Sequence, residues 1–515
     1  MTSTGRTIRI SALIAALVMA LSVCGAFAEE ASMTIGVKSV TTVYLNPLIP
    51  VEREMISVTS LIYEPLFEIN DHYDPEPCLV REWERSDDGK TWLFTLRDGI
   101  TFHDGTPLTA QDVVATIDQI LLLAESGEGQ YMGLKYLVKS ASANDRLHFV
   151  INASRPCYGL LYSLVFPVLK ADEVNAVQPS GTGPYEVTQF NPGQELLLSA
   201  YEYYWDGRAG YKELNFLFYT TNRDLLSAYE YKQVDAIVTR SATAAQYRGG
   251  NSSLNVPYRT QQLEVLMMNH QSYPLEDPEI RQAIRYAIDI DNIAATVYTD
   301  MVVRTDTPMI PDTWTYKEGE AYTYDPEKAA QILADKGWSD TDGDGVLDIL
   351  KDGKKRNLKL RIYVYEEQEN SVRIQAANMI SDDLNAIGIN ADVTTMTYSD
   401  AKVKLEKRSY DLCLCAFQMD TVPDPGFLLM IGNVCNFMAY RSRDMDNLFS
   451  VLRKAGDKGS YQQALYDIQD LFEKDCPFVC LYWRTGAVLT RSLFFTVQDV
   501  REPDVLRGLE DAQPR

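Results

Sequence analysis

The sequence predicts an α/β protein with two or three domains, and three observations support this prediction. The chain has 515 residues, which is more than one hydrophobic core usually organises. A hydrophobic content of 46% and an aromatic content of 10% are typical of a folded globular protein. In the second half of the chain, amphipathic runs end at a glycine and are followed by apolar strands, an order typical of α/β folds.

The first 28 residues have the three parts of a secretory signal peptide. Arg6 and Arg9 form the basic start, residues 10–23 are apolar, and Ala26-Phe27-Ala28 is a small-residue cleavage site. We therefore predict an exported protein that begins at Glu29 and resides in the periplasm or at the outer face of the cytoplasmic membrane.

A lipid anchor at Cys24 is an alternative to release from the membrane, although Val23 stands where a lipobox has a small residue. Seven further cysteines follow, and an odd number in an exported protein leaves at least one of them unpaired. Cys413 and Cys415 alternate within an apolar run, so we expect both to be packed inside a strand.

The net charge of −24 disfavours nucleic acid and anionic lipid as partners. A solvated acidic surface is the simplest interpretation of this charge. We expect no nucleic-acid partner.

Residues 83–117 predict a β-hairpin followed by a docked helix. Trp92, Phe94 and Leu96 alternate with more polar neighbours, as in a half-buried strand. Thr109 and Asp112 have the spacing of a capping box at the start of the helix.

A glycine-rich stretch, Gly181-Thr182-Gly183-Pro184-Tyr185, predicts the start of another strand. A nucleotide-binding loop is excluded here because no Lys-Ser/Thr pair follows and no helix opens.

Three helices and a strand are predicted in the second half of the chain. Asp277 is a natural N-cap followed by Pro278 at the first helical position. A second helix should run from Asp325-Pro326 to Gly337, and a third from residue 370 or 371 to Gly388, where glycine ends a helix. Residues 389–393 then predict a strand.

Several ordered motifs resemble the dipeptide- and oligopeptide-binding proteins of bacterial ABC importers. The longest are F-x-L-R-x-G-I-x-F-H-D-G at residues 94–105 and L-T-A-x-D-V-V at residues 108–114. Shorter matches are N-P-L at 46–48, I-Y-E-P-L-F at 62–67 and D-x-x-I-R-Q-A at 277–283. The resemblance covers essentially the whole mature chain.

This resemblance implies a two-lobed periplasmic-binding-protein fold of the α/β class, with mixed sheets, three domains and a hinge between the lobes. The chain would cross between lobes near residues 262–270 and again near 480. The implied segments are a signal peptide (1–28), domain I (29–69, 179–265 and 481–515), domain II (70–178) and domain III (266–480).

The resemblance also implies the ligand-binding residues. The loop after the first strand borders the cleft in this family, so Tyr44 and Asn46 are candidate contacts, with a plain surface turn as the alternative for Tyr44. Tyr365, Glu366 and Trp483 are further candidates.

The central ligand-binding motif follows the strand predicted at residues 411–415, at its carboxyl end, where open α/β sheets bind ligands. Relatives have an aromatic residue, then an aspartate that pairs with the peptide ammonium, then an acidic-Pro pair. Counting forward from Phe417 assigns this role to Asp420, whereas counting back from Asp424-Pro425 assigns it to Thr421. Both assignments stay open, and so does a non-peptide ligand.

Residues 340–348 reproduce the first nine positions of an EF-hand loop. Lys351 stands at the twelfth position, where a bidentate glutamate is required. We therefore expect no metal, with calcium as the alternative.

Catalysis has little support in the sequence. The four histidines form no HExxH motif, and no GxSxG elbow is present. Ser399-x-x-Lys402 with Arg484-Thr485-Gly486 imitates a penicillin-binding protein, but Ser399 is better interpreted as the N-cap of a helix over residues 400–408.

We therefore predict a monomeric solute receptor, not an enzyme and without a cofactor, that closes around a short peptide. Its partners would be the permease and ATPase subunits of an ABC importer. The alternatives are a non-peptide solute, such as a metal chelate or a saccharide, and a role as a ligand sensor or chaperone.

Overall fold

The structure is a computed structural model that describes residues 32–247, 254–319, 322–351, 353–367, 371–491 and 500–512. The predicted signal peptide, Cys24 and Glu29 lie outside these residues. The strands of the described residues, in chain order, are β1 (Ser32–Lys38), β2 (Phe67–Ile69), β3 (Pro75–Pro77), β4 (Val80–Arg85), β5 (Thr91–Leu96), β6 (Val138–Ala143), β7 (His148–Ala153), β8 (Tyr185–Asn191), β9 (Glu195–Ala200), β10 (Glu213–Tyr219), β11 (Ala236–Thr239), β12 (Leu254–Met268), β13 (Val302–Arg304), β14 (Asp348–Lys351), β15 (Lys354–Asn357), β16 (Lys359–Tyr365), β17 (Asn390–Met396), β18 (Leu412–Gln418) and β19 (Phe478–Thr490).

The α-helices of the described residues are α1 (Arg53–Thr59), α2 (Ala110–Ser126), α3 (Asn222–Glu230), α4 (Pro278–Ala287), α5 (Ile290–Tyr298), α6 (Pro326–Asp335), α7 (Val372–Ala386), α8 (Tyr398–Glu406), α9 (Gly426–Leu429), α10 (Arg443–Leu452) and α11 (Lys458–Asp475). Mixed sheets and α-helices are present in both halves of the chain, which confirms the predicted α/β class. No helix among the described residues combines the length and apolar character needed to cross a membrane.

The predicted hairpin and helix are confirmed. Strands β4 and β5 pair antiparallel and continue into β7 and β6 as a four-stranded sheet. Helix α2 starts with the expected capping box, in which the Thr109 backbone N–H donates to Asp112 Oδ2 at 2.8 Å. The side chains of Trp92 and Phe94 are buried and pack one face of this sheet against the core.

An eleven-stranded mixed sheet forms the centre of the molecule. Its order is β17-β16-β18-β12-β19-β11-β1-β10-β9-β8, and β13 pairs with β19. The long strands β12 and β19 are neighbours in the middle of this sheet. They join a first lobe, which contains β1 to β11, to a second lobe, which contains the elements between β12 and β19.

Strand β12 is irregular where it passes between the lobes. Its register with β19 shifts between Arg259 and Leu263 and again between Glu264 and Val265. Such bulges bend a strand and increase its local twist. The resemblance implies a first lobe crossing near residues 262–270, and the second of these shifts lies within that range.

A buried charge network stands at the same place. Glu264 on β12 accepts hydrogen bonds from Arg373 at 2.6 and 3.0 Å, and Arg484 on β19 lies 2.6 Å away. Burial alone would raise the pKa of Glu264, but the two arginines outweigh burial and lower this pKa. The network therefore holds a charged carboxylate inside the sheet and connects both crossing strands to helix α7.

The predicted glycine-rich strand start is also present, because β8 begins at Tyr185. A Cβ atom at Gly181 would lie 1.9 Å from the backbone oxygen of Ile62, and one at Gly183 would lie 2.7 Å from that of Leu61. These glycines allow two backbone segments to pack in direct contact, which is a structural role rather than a phosphate-binding one.

The predicted starts of α4, α6 and α7 were correct, the last with Ser371 at the N-cap, and the predicted start of α8 was wrong. The Asp277 carboxylate accepts from the Glu279 N–H at the start of α4, and Asp325 does the same for Lys328 at the start of α6. Ser399 is not the N-cap of α8. That cap is Thr397, whose hydroxyl accepts from the Asp400 N–H at 3.2 Å, because strand β17 ends one residue earlier at Met396.

The cysteines Cys413 and Cys415 are buried on strand β18, as predicted. All seven cysteines of the described residues are present as free thiols.

Candidate functional site

A cavity lies where both lobes meet the crossing strands. It contains about 1290 Å³ of space free of protein atoms, part of which is open to solvent. The first lobe, with which the C-terminal segment 501–507 packs, contributes residues within the ranges 47–73, 130–131 and 165–167, and the second lobe contributes Ile310 and Thr421. Trp483, on β19, forms part of the wall and donates from Nε1 to the Met309 carbonyl oxygen at 3.0 Å. We call this space the main cavity.

One wall of the main cavity is polar, and a short series of hydrogen bonds within the protein holds it in place. Gln418 Nε2 donates to Gln261 Oε1 at 3.0 Å, and Gln261 Nε2 donates to Thr421 Oγ1 at 3.1 Å. The Thr421 carbonyl oxygen accepts from the Tyr73 hydroxyl at 2.9 Å. Thr421 is only 7% exposed, so these bonds fix both of its oxygen atoms.

Three arginines border the main cavity and tie distant segments together. Arg501 Nη2 donates to the Ile69 carbonyl oxygen at 3.1 Å, and Arg507 Nη1 donates to the same oxygen at 2.8 Å. Arg259 Nη1 donates to the Pro311 carbonyl oxygen at 2.9 Å. Positive charge is therefore present on the cavity wall and is held in position by backbone acceptors.

Carboxylates border the same cavity. Glu64 is 4% exposed and accepts from the Tyr204 hydroxyl at 2.9 Å and from Trp205 Nε1 at 3.0 Å. Burial raises the pKa of Glu64 to about 8, so this side chain is mostly neutral at pH 7. Burial also raises the pKa of Asp504, which accepts from Ser60 Oγ at 2.8 Å, to about 6.

A smaller cavity lies beside the main cavity and contains Asp420. It holds about 280 Å³ of space, and both cavities share Tyr73, Ile310 and Trp483 as walls. Asp420 is open to this space, yet the surrounding protein desolvates its carboxyl group and raises the pKa of that group. The Val422 N–H donates to it at 3.3 Å, and no side chain of the described residues forms an ion pair with it, so the carboxylate has room for a cationic partner.

The two candidates for the ammonium position thus face different spaces. Asp420 faces the smaller cavity, and Thr421 lines the main one. Trp483, a third predicted contact, borders both.

Tyr44 and Asn46 line neither cavity. Tyr44 is 44% exposed on the loop after β1. Asn46 is fully buried, and its amide nitrogen donates to the carbonyl oxygens of Val174 and Ala176, both at 2.9 Å. Asn46 therefore holds the loop against the first lobe, and its role as a ligand contact stays a prediction.

The remaining predicted contacts lie on the second lobe. Phe417 is 9% exposed on β18, and its ring stacks on Phe437 with centroids 6.4 Å apart. Tyr365 ends β16 and lies under the guanidinium of Arg373, 4.2 Å from it. Glu366 is exposed, and its N–H donates to the Met396 carbonyl oxygen at 3.0 Å. None of these three borders the two cavities.

Sequence reasoning missed Tyr73, Gln261 and Arg501 as residues of the cavity wall. Gln261 carried a visible signal, because a polar Gln-Gln pair interrupts strand β12 just before its apolar run. Tyr73 and Arg501 carried none, since their position depends on contacts between the two ends of the chain.

The lobes touch through aromatic side chains next to the cavities. We call this group the aromatic seam; it comprises Tyr73, Tyr158 and Tyr162 of the first lobe and Trp314 and Tyr461 of the second. Neighbouring ring centroids in the seam are 5.8 to 6.4 Å apart. Trp314 Nε1 also donates to the Tyr73 carbonyl oxygen at 2.9 Å. Contacts of this kind stabilise a state in which the lobes are closed on each other.

The acidic loop at residues 340–348 brings Asp340, Asp342 and Asp348 close together. The Lys355 ammonium pairs with Asp342 and lies 3.2 Å from Asp348. Asp340 accepts from the backbone N–H groups of Gly343 and Gly345 at 2.8 and 3.0 Å. A lysine and backbone donors therefore satisfy the carboxylates that a calcium ion would need.

Two lobes joined by two crossing strands, with a cavity of apolar and polar walls at their junction, define the class of solute-binding proteins that close around a ligand. The family model for bacterial extracellular solute-binding proteins, family 5, middle part, matches residues 74–437. The chain belongs to this family. It is accordingly the extracytoplasmic binding component of an ABC importer and not an enzyme.

Similar proteins agree on the fold and differ in their solutes. The chain is 24% identical to the oligopeptide-binding protein AppA of Bacillus subtilis (strain 168), over 85% of this chain and 83% of AppA. It is 23% identical to the nickel-binding periplasmic protein of Escherichia coli (strain K12), over 76% of each chain. The crystal structure of NikA from Brucella suis in complex with Fe(III)-EDTA is 20% identical and superimposes with a TM-score of 0.81, covering 94% of this chain and all of NikA.

Proposed function

We propose that this protein captures a short peptide between its lobes and delivers it to the permease of an ABC importer. The observation that carries the proposal is the mixed polarity of the adjoining cavities. The carboxyl group of Asp420 is open to the smaller cavity and has no cationic partner among the described residues, while arginines, a threonine hydroxyl and internally hydrogen-bonded carboxyl groups border the main one. A peptide has matching polarity, because it carries an ammonium at one end and carbonyl and carboxylate oxygens along the rest.

In this arrangement Asp420 binds the peptide ammonium. A buried ammonium requires a charged hydrogen-bonding partner, and a carboxylate is the strongest one that a side chain offers. The peptide backbone extends past Trp483 and Tyr73 into the main cavity. Recognition of backbone groups rather than side chains lets one receptor accept many peptide sequences.

Identification of the bound solute tests this proposal. The protein is purified from expressing cells, denatured, and the released small molecules are identified by mass spectrometry. The unliganded protein is then titrated calorimetrically with tri-alanine and penta-alanine, and with a nickel–histidine complex and haem as competing solute classes. Saturable binding of the peptides is expected. Binding of the nickel complex or haem without binding of either peptide would refute the peptide assignment.

We further propose that residues 1–28 are removed on export and that the mature monomer acts in the periplasm or at the outer face of the membrane, without a nucleic-acid partner. The A-x-A motif at 26–28 supports cleavage before Glu29. Intact mass spectrometry of the exported protein should give a chain that starts at Glu29. A mass that includes a diacylglyceryl group on Cys24 would replace this assignment with the lipid anchor.

A further inference from the structure

The chain of hydrogen bonds from Gln418 through Gln261 to Thr421 has a direction. Gln418 Nε2 donates to Gln261 Oε1, which leaves the Gln261 amide nitrogen to donate to Thr421 Oγ1. The Thr421 hydroxyl oxygen is therefore an acceptor within the protein. A hydroxyl group carries one hydrogen in addition to its acceptor sites.

That hydrogen has no acceptor in the part of the chain that the structure describes, where Gln261 is the one partner of the Thr421 hydroxyl. The Thr421 carbonyl oxygen is also engaged, since it accepts from Tyr73. The Thr421 hydroxyl group is thus a hydrogen-bond donor at the wall of the main cavity. An acceptor oxygen of a ligand in the main cavity would complete the hydrogen bonding of this hydroxyl group.

We infer that Thr421 is a specificity-determining residue whose hydroxyl donates to a carbonyl or carboxylate oxygen of the bound solute. This inference rests on the proposed function, because it assigns a second anchoring point within the same binding site. Arg259 and Arg501 border the same cavity and add positive charge near this donor. A ligand ammonium is disfavoured next to Thr421, because it would meet a hydrogen-bond donor and two positive charges. We therefore place the ammonium on the other side of Trp483, next to Asp420.

Four variants test the inference by calorimetric titration with tri-alanine. Thr421→Val removes the hydroxyl and keeps the side-chain shape, whereas Thr421→Ser keeps the hydroxyl. Gln261→Glu replaces the donor to Thr421 by an acceptor, so the carboxylate captures the hydroxyl hydrogen. Gln262→Glu adds the same charge at the next position, which borders neither cavity, and serves as the control. Thermal melting of each variant confirms that it is folded.

Thr421→Val and Gln261→Glu should each weaken tri-alanine binding about 5- to 100-fold, because each leaves a ligand acceptor without its donor. Thr421→Ser and Gln262→Glu should stay within about threefold of the parent, below the loss that one missing hydrogen bond causes. The two large losses should not add in the double variant, since both remove one interaction. Titration with tri-alanine amide, which removes the negative charge but keeps an acceptor oxygen, shows whether the charge matters: a smaller effect of Thr421→Val on the amide identifies the carboxylate as the acceptor, and an unchanged effect identifies a neutral carbonyl oxygen.

The failures of the two proposals can be told apart. If the parent binds tri-alanine and Thr421→Val binds it equally well, the inference is refuted and the peptide function stands. If the parent binds the nickel–histidine complex but no peptide, and Thr421→Val weakens that binding, the inference stands and the peptide function is refuted. A parent that binds neither solute refutes both.

Discussion

The Tyr73 hydroxyl donates a hydrogen bond of 2.9 Å to the backbone carbonyl oxygen of Thr421. Tyr73 belongs to the first lobe and Thr421 to the second, so this bond joins the lobes at the wall of the ligand cavity. The same tyrosine packs in the aromatic seam and accepts from Trp314 Nε1 through its carbonyl oxygen. Tyr73 thus contacts the second lobe and also holds Thr421, which borders the ligand cavity, in position. Because closure lets both lobes contact the solute, changes in this bond should alter affinity without removing a ligand contact.

Tyr73→Phe should weaken solute binding and favour the open state. The substitution keeps the ring in the seam and removes one hydrogen bond, which contributes about 1 kcal/mol to the closed state, or about a fivefold change in affinity. Small-angle scattering with and without saturating tri-alanine should show that the parent becomes more compact on binding. The unliganded variant should have a larger radius of gyration than the unliganded parent. Tyr231→Phe, at a tyrosine that is 78% exposed, is the matched control. A radius of gyration that is unchanged by ligand in the parent would count against closure itself.

Glu64 should make the stability of the protein fall as pH rises. Burial raises its pKa from 4.5 to about 8, so the folded protein holds a proton that the unfolded chain releases. The stabilisation is fully present below pH 4.5 and is lost as pH rises through about 8. The total change is on the order of 4 kcal/mol.

Glu64→Gln removes this titration while keeping a neutral amide near Tyr204 and Trp205. Denaturant unfolding of parent and variant between acidic and alkaline pH should show the parent losing stability relative to the variant. Glu84→Gln, at an exposed glutamate of the neighbouring sheet, should follow the parent at every pH. Parallel pH profiles for parent and Glu64→Gln would mean that Glu64 is charged in the folded state.

The sequence predicted those parts of the fold that local chemistry determines. Thr109 and Asp112 form a capping box within four residues, and Asp277 caps α4 through its own neighbours, so both could be read directly. The start of α8 was misplaced by two residues because Thr397 and Ser399 are equally good caps. The end of β17, which pairing with β16 sets, decides between them.

The candidate site was predictable only where the family motif passes through it. Thr421 and Trp483, which the resemblance implies as ligand contacts, border the main cavity, and their contact with a ligand stays a prediction. Arg501 was not predictable, because it is held by the carbonyl oxygen of Asn70, 431 positions away in the chain. No periodicity or spacing reports a contact of that kind. The same applies to Glu64, whose raised pKa comes from burial and not from a neighbour in the sequence.

The loop at residues 340–348 should not respond to calcium. Lys355 neutralises Asp342 and Asp348, and Lys351, at the position of the missing glutamate, points to the Tyr273 ring at 4.1 Å. Calcium or a chelator should therefore leave the melting temperature unchanged. The double variant Lys351→Glu with Lys355→Gln removes both cations and supplies the bidentate ligand, so it should gain calcium binding. A calcium-dependent rise in the melting temperature of the parent would show that an ion displaces Lys355.

Asp420 should be the anchor for the ammonium of a bound peptide. Its carboxyl group lies in a desolvated space and has an adjacent backbone donor but no cationic partner among the described residues. Asp420→Ala would leave the ligand ammonium without a partner, which costs on the order of 2–5 kcal/mol. This corresponds to a loss of affinity of tens- to thousands-fold.

Calorimetry with tri-alanine and N-acetyl-tri-alanine tests this role. Acetylation removes the ammonium, so it should weaken binding to the parent about as much as Asp420→Ala weakens binding of the free peptide. The two changes delete the same interaction, and their effects should not add. Asp420→Asn retains the side-chain shape and serves as the control for packing; it should lose nearly as much affinity, because an amide carries no charge. Equal affinity of the alanine variant and the parent for tri-alanine would exclude Asp420 as the anchor. The ammonium position would then have to be sought in the main cavity, where Thr421 offers a donor and the carboxyl groups of Glu64 and Asp504 are already hydrogen bonded within the protein.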